Sequence, residues 1–196
     1  MPVPENFFRR AMQDTRPSMR VIVFIIENTV LALLYWGVSH LNFLIFKNAG
    51  ILPMPIWPAA AVAAVAAFYR SWRIAPALAI GTILANHVSL GAPLFYACCI
   101  AIMNTAGPIA GAALMRLRVT SSLTIRGFAD VLVVFIILTA IVPVLTASGG
   151  IGFKRMLGLV PPEAVLVSWL KWATAHSLGT MLFAVPVFAW IKGRHG

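Results

Sequence analysis

The chain has 196 residues, of which 61% are apolar and 10% charged, and a mean hydropathy of +0.92. Soluble domains run near half apolar and a quarter charged, so these figures exclude a water-soluble globule. Lysine and arginine outnumber aspartate and glutamate by 15 to 5, but the excess lies in short runs between apolar stretches, not along the solvated face that a nucleic-acid partner needs.

The first 20 residues carry Arg9, Arg10, Arg16 and Arg20 and read as a basic cytoplasmic segment. The apolar run at 21–46 follows. It is too long for a secretory signal and lacks a small-residue cleavage site, so it reads as an uncleaved anchor and first membrane helix. Glu27 and Asn28 lie in its inner half and His40 near its outer end. Charge inside a membrane is costly, which makes Glu27 a candidate intramembrane ionisable group; a carboxyl used only for helix packing is the equal alternative.

Five more apolar runs follow, at 56–69, 74–90, 93–115, 128–147 and 165–191. The run at 56–69 is the shortest, either a crossing extended at its ends or a re-entrant helix. Arg70 and Arg73 separate it from the third run, which ends near His87. The adjacent Cys98 and Cys99 in the fourth run offer neither a disulfide framework nor zinc spacing and read as packing residues. Gly107 and Gly111 form a GxxxG, read as internal packing, and Pro108, Pro143 and Pro186 are expected to kink their helices and free carbonyls inside the bundle. Arg126 and Asp130, one turn apart, read as a boundary ion pair. The Ser-Gly-Gly-Ile-Gly run at 148–152 is expected to be a flexible outer loop, not a phosphate cradle. The last run begins after Pro161 and Pro162; its start is expected along the outer interface, with Lys171 snorkelling and the crossing beginning at Trp172.

Eleven of the 15 basic residues fall on one side if the chain crosses six times: those of the first segment, Arg70, Arg73, Arg116, Arg118, Arg126, Lys192 and Arg194. Basic loops mark the cytoplasmic side. The expected architecture is an all-α integral membrane protein, a compact bundle of about six transmembrane helices with both termini cytoplasmic. Its parts are the basic segment 1–20, a membrane domain 21–191 and a cytoplasmic tail 192–196, set in a bacterial cytoplasmic (inner) membrane.

Candidate chemistry is sparse. Trp169, Trp172, His176, Gly179 and Phe183 recur at helical spacing on one face, and Trp172 with His176 could supply the apolar wall and polar group of a pocket. His40, His87 and His176 all fall in the outer half. Separate hydrogen-bonded imidazoles are favoured over a shared metal, a haem iron or a protonation switch, because no HxxxH spacing links them. There is no HExxH, GxSxG or Walker loop, so no enzyme activity is expected.

Several fragments together resemble a known family. Ile-Trp-Pro-Ala-Ala at 56–60, Arg-Ser-Trp-Arg at 70–73 and Gly-Thr-Ile-Leu-Ala-Asn at 81–86 are similar to the opening core of the MASE-type membrane-associated sensor domain, type one. Asn-Thr-Ala-Gly-Pro-Ile-Ala-Gly at 104–111 with Leu-Met-Arg at 114–116 resembles its next segment, and 169–190 its closing Trp-rich helix. The resemblance spans 56–190. The sequence departs from it at Ala59 and Ala61, at Gly107, where an acidic residue is common, and at His176, where an aspartate is expected. The resemblance implies a sensory or regulatory module of bacterial signalling, with a ligand or partner pocket at Trp57, Asn86, Asn104, Trp169, Trp172 and His176. Membrane lipid and other membrane proteins, or a separate signalling effector, are the expected partners, since the sequence ends at Gly196 without an output domain. A noncatalytic accessory or assembly subunit is the alternative function, and a small-solute transporter subunit the third.

Overall fold

The structure, a computed structural model, describes residues 17–117 and 128–193, and every regular element among them is helical. Chain order gives α1 (Pro17–Asn48), α2 (Ala59–Arg70), α3 (Ala75–Ile83), α4 (Leu94–Arg116), α5 (Phe128–Ile136), α6 (Val142–Met156), α7 (Val165–Gly179) and α8 (Val185–Gly193). A 3-10 turn, Ser71–Ile74, joins α2 to α3, and a π-helical turn, Leu84–Ser89, extends α3. Two further π turns, Ile137–Ile141 and Thr180–Ala184, fuse α5 with α6 and α7 with α8 into continuous rods. Four helical stretches are long and apolar enough to cross a membrane: Met19–Asn48, Leu94–Arg116, Phe128–Met156 and Pro162–Trp190. Most of the expected topological charges, Arg9, Arg10, Arg16, Arg118, Arg126 and Arg194, lie outside the described residues, as does the Arg126 half of the pair expected with Asp130.

The polarity of α1 is inverted relative to a helix in water. Its outward positions, among them Val21, Ile22, Ile25, Ile26, Val30, Leu33, Leu34 and Leu41, are large, apolar and exposed. Its buried face is Asn28, Ala32, Tyr35, Ser39 and Asn42, spaced at four, three, four and three residues and therefore one stripe. Asn28 Oδ1 accepts from the Ala77 amide at 3.1 Å, and its Nδ2 donates to the carbonyls of Phe24 at 3.0 Å and Arg73 at 3.2 Å. The Ala77 amide belongs to the first turn of α3, which has no partner within its own helix, so α1 caps α3 from the side. Asn42 Nδ2 donates to the Ile56 carbonyl at 2.9 Å.

These contacts order the short helices along α1. Glu27 pairs with Arg70 at the end of α2, and Asn42 holds the approach to its start. At the other end of α3, Trp36 Nε1 donates to Ser89 Oγ at 3.1 Å and His40 Nδ1 lies 2.9 Å from the same hydroxyl. Thus α2 and α3 run in opposite directions beside α1, each packed on it and on α4, between the levels of Glu27 and Asn42, about 22 Å apart at 1.5 Å per residue.

The centre is made of small side chains. Ala59, Ala60, Ala61, Ala63, Ala64 and Ala67 of α2 are all buried, which permits the close backbone approach that replaces hydrophobic sorting in lipid. The α4 helix packs on α2, α3 and α6. A Cβ at Gly107 would run into Thr146 Cγ2 and one at Gly111 into Val142 Cγ2, so the GxxxG is spent inside the bundle. Cys99 is buried nearby and Cys98 faces outward. The last carbonyls of α2 are also satisfied, because the Arg116 guanidinium donates to Ala67 O at 2.9 Å and to Phe68 O.

One expectation needs correction here. Residues 148–152 are helical, within α6, not an outer loop. Glycine there serves packing: a Cβ at Gly149 would strike Met103 and one at Gly150 would press on the Trp172 ring. In the last rod α7 is continuous from Val165 through Trp172. The expected carbonyl release is seen at Pro143. With no N–H to offer, it leaves Thr139 O without an α partner and Leu138 O without a π partner. The hydroxyls of Ser177 and Thr180 on the neighbouring rod donate to these two oxygens, the latter at 2.8 Å.

Candidate functional site

The end of the bundle where α1 finishes and α4 and α7 begin holds a half-open cavity of about 610 Å³. That lies within the range of small-molecule sites. Five of the six positions singled out from sequence line it: Trp57 before α2, Asn86 in the turn after α3, Asn104 on α4, and Trp172 and His176 on α7. The structure adds Tyr96 on α4, Lys154 on α6 and Lys171 on α7, together with apolar walls from Phe43, Met54, Leu90 and Ile151. Trp169 is not part of the lining; its Nε1 donates to Ser148 Oγ at 3.0 Å between α7 and α6. Glu27 is also elsewhere, in its ion pair with Arg70.

The wall carried by α7 is an aromatic stack. The His176 ring lies 5.6 Å from Trp172 at an interplanar angle of 13°, and 6.2 Å from Trp57 at 26°. Its Nδ1 lies 3.2 Å from the Trp172 carbonyl, and because a carbonyl can only accept, Nδ1 carries the proton in that bond. The loop holding Trp57 is fixed to the same helix, with the Trp57 amide donating to Ala175 O at 2.9 Å. Gly179 makes this approach possible, since a Cβ there would overlap the Trp57 carbonyl. Phe183, expected on the same face, is instead exposed. The π turn at Thr180–Ala184 interrupts the α spacing before that position is reached.

The opposite wall is held by α4 and α6. Lys154 Nζ lies 5.6 Å from the Tyr96 ring centroid and 5.7 Å from that of Trp172, within cation–π range of both. Tyr96 Oη, Trp172 Nε1 and Asn104 Oδ1 are buried without a hydrogen-bond partner. Orphaned polar atoms are uncommon in a folded interior; among the described residues three of the five belong to residues lining this cavity, the others being the hydroxyls of Thr82 and Thr105. Asn104 Nδ2 and Trp57 Nε1 make only long contacts to Tyr35 Oη, at 3.4 and 3.5 Å. Asn86 spends its amide on Thr82 O at 2.9 Å.

The three histidines singled out from sequence have separate surroundings: His40 faces Ser89, His87 Nδ1 lies 2.9 Å from Ala92 O, and of the three His176 reaches the cavity. Among the described residues no group of three His, Cys, Asp or Glu side chains is placed to hold a metal ion. Sequence reasoning missed Tyr35, Tyr96 and Lys154. The polar stripe of α1, repeating through Asn28, Tyr35 and Asn42 at seven-residue steps, was a signal for the first. Nothing in the sequence joined Lys154 to two aromatic rings on other helices.

Neither the curated proteins nor the solved structures yield a match to this chain. The family model described as MASE1 matches residues 28–196, which takes in α1 from Asn28 onward as well as the stretch whose motifs carry the resemblance. The chain therefore belongs to the MASE1 family, the membrane-associated sensor domains of bacterial signalling.

Proposed function

We propose that this chain is a noncatalytic input module of bacterial signalling, crossing the cytoplasmic membrane six times with both termini inside, and that it reads a small ligand in the cavity lined by Trp57, Asn86, Asn104, Trp172 and His176. The charge alternation of the sequence supports the topology, as do the opposite directions in which α2 and α3 run along the length of α1. At about 18 Å, α2 is shorter than the roughly 30 Å hydrocarbon core, so in this topology its ends and turns are sheltered by the longer helices, the condition under which irregular backbone is tolerated at membrane depth.

The observation that carries the reading is the cavity itself, about 610 Å³ with walls from α1, α4, α6 and α7 and three orphaned polar atoms among its lining residues. A ligand there would contact rods that continue toward the other end of the bundle, including α7, which leads through its π turn into α8 and the basic tail. Ligand binding signals only if it favours one helix arrangement over another. The output partner would respond to that difference.

The test replaces Trp172 or His176 with alanine and measures the downstream output with membrane insertion verified. Each substitution is expected to change the output or its ligand response. Unchanged signalling in both variants would remove the cavity from the mechanism.

A further inference from the structure

We infer that the cavity selects an organic anion, an acidic head group on an apolar or aromatic body; this deepens the proposed sensory reading and rests on it. Two lysines and no carboxylate line the cavity. Lys154 is half-buried and has no carboxylate partner among the described residues. Its ammonium is held instead by the rings of Tyr96 and Trp172, at 5.6 and 5.7 Å.

Ring faces compensate an ammonium only in part. Withdrawing a cation from water, even in part, costs more than a cation–π contact returns. The balance is what a bound anion supplies, because charge-assisted hydrogen bonds are the strong ones. Tyr96 Oη and Trp172 Nε1, on the same two aromatic residues, are unpaired donors with no surface open to the cavity; a side-chain rotation exposing either would offer an anion the polarity it requires. Phe43 and Leu90 on the facing wall offer an apolar surface to the rest of the molecule. A neutral polar ligand would leave Lys154 uncompensated, and a cation would meet two like charges.

An acidic lipid and a free amphiphilic acid share this chemistry, and the experiment separates them. The full chain in phosphatidylcholine nanodiscs is titrated by calorimetry with 2-naphthoate, decanoate and phenyl phosphate, each beside its uncharged counterpart: 2-naphthamide, decanamide and phenol. At least one anion is expected to bind tenfold or more tightly than its counterpart. Lys154→Gln should abolish that preference, Lys154→Arg should retain it, and Arg155→Gln, which removes the same charge outside the cavity lining, should leave it unchanged. The thermal transition of each variant checks folding.

The titration is repeated in discs containing phosphatidylglycerol, with native mass spectrometry of bound lipid. Blocked probe binding, together with lipid that is shed by Lys154→Gln, assigns the anion to a headgroup; unblocked binding assigns it to a free acid. If no anion binds more tightly than its neutral counterpart, or if Arg155→Gln abolishes the preference as fully as Lys154→Gln, anion selectivity is overturned. The sensory reading stands or falls separately, on the output of the Trp172 and His176 variants.

Discussion

Replacing Gly179 with alanine tests the closest approach in the site. Gly179 has φ −60° and ψ −46°, so alanine fits the backbone, and in a helix the exchange alone is favourable by roughly 0.5–1 kcal/mol. The obstacle is steric. The new Cβ would overlap the carbonyl of Trp57, with the Pro58 nitrogen 3.2 Å away. These are main-chain atoms, which no rotamer change can move aside. Restoring a carbon contact near 3.5 Å needs a shift of roughly 1 Å or more. That shift pulls on the Trp57 N–H···Ala175 O bond, now 2.9 Å.

Overpacking costs about 1–3 kcal/mol and an unpaired buried amide about 1–3 kcal/mol. After the helix gain, the net loss is about 1–5 kcal/mol. Gly37→Ala is the control, since nothing lies within 4 Å of its added Cβ, and it should be neutral or slightly stabilising. Gly107→Ala should fall between them, because the atom it meets is a Thr146 side-chain methyl. Reversible unfolding in mixed micelles, followed by tryptophan fluorescence, measures all three. A Gly179→Ala variant as stable as Gly37→Ala would refute backbone contact between α7 and the Trp57 loop.

Two further substitutions bear on the fold. Ser177→Ala and Thr180→Val should each cost about 0.6–2 kcal/mol by stranding a carbonyl freed by Pro143. The penalty should shrink in a Pro143→Ala background, where the helix can supply its own N–H; an undiminished penalty in that double-mutant cycle would contradict the assignment. Glu27→Gln should cost less than about 1 kcal/mol, since its partner Arg70 is 47% exposed and solvent-screened pairs contribute little. Its neighbour Asn28→Ala should cost about 1–3 kcal/mol, because it strands the α3 amide that Asn28 caps. The reverse order in unfolding measurements would show that the ion pair, not the cap, fixes α1.

All-helical architecture was legible because the apolar runs are long and separated by charge and proline. Gly107 and Gly111 were read as internal packing from spacing alone, and the packing of both against Thr146 and Val142 agrees. The 148–152 run was not legible. Glycine is a turn signal in water, but between membrane helices it is equally a means of close approach, and only Met103 and Trp172 pressing on Gly149 and Gly150 distinguish the two. The stripe from Trp169 to Phe183 was read as one face on uniform 3.6-residue spacing, which the π turn breaks. Trp57, Asn86, Asn104, Trp172 and His176 come together around one cavity. Lys154 and Tyr96 could not be added to them from sequence, because cation–π contacts between α6, α4 and α7 leave no local pattern.

The buried stripe of α1 answers a problem peculiar to lipid. Hydrocarbon is indifferent to which side of an apolar helix it touches, and it resists only weakly a slide of one residue along the axis, so solvent sets neither azimuth nor depth. Asn28 and Asn42 set both. Two amides on one side, two heptads apart, engage main-chain atoms on separate segments, like two pins of a lock at different heights. Rotate the helix or slip it by a residue and both pins miss together, so α1 has one address in the bundle although its outward surface is almost uniformly greasy.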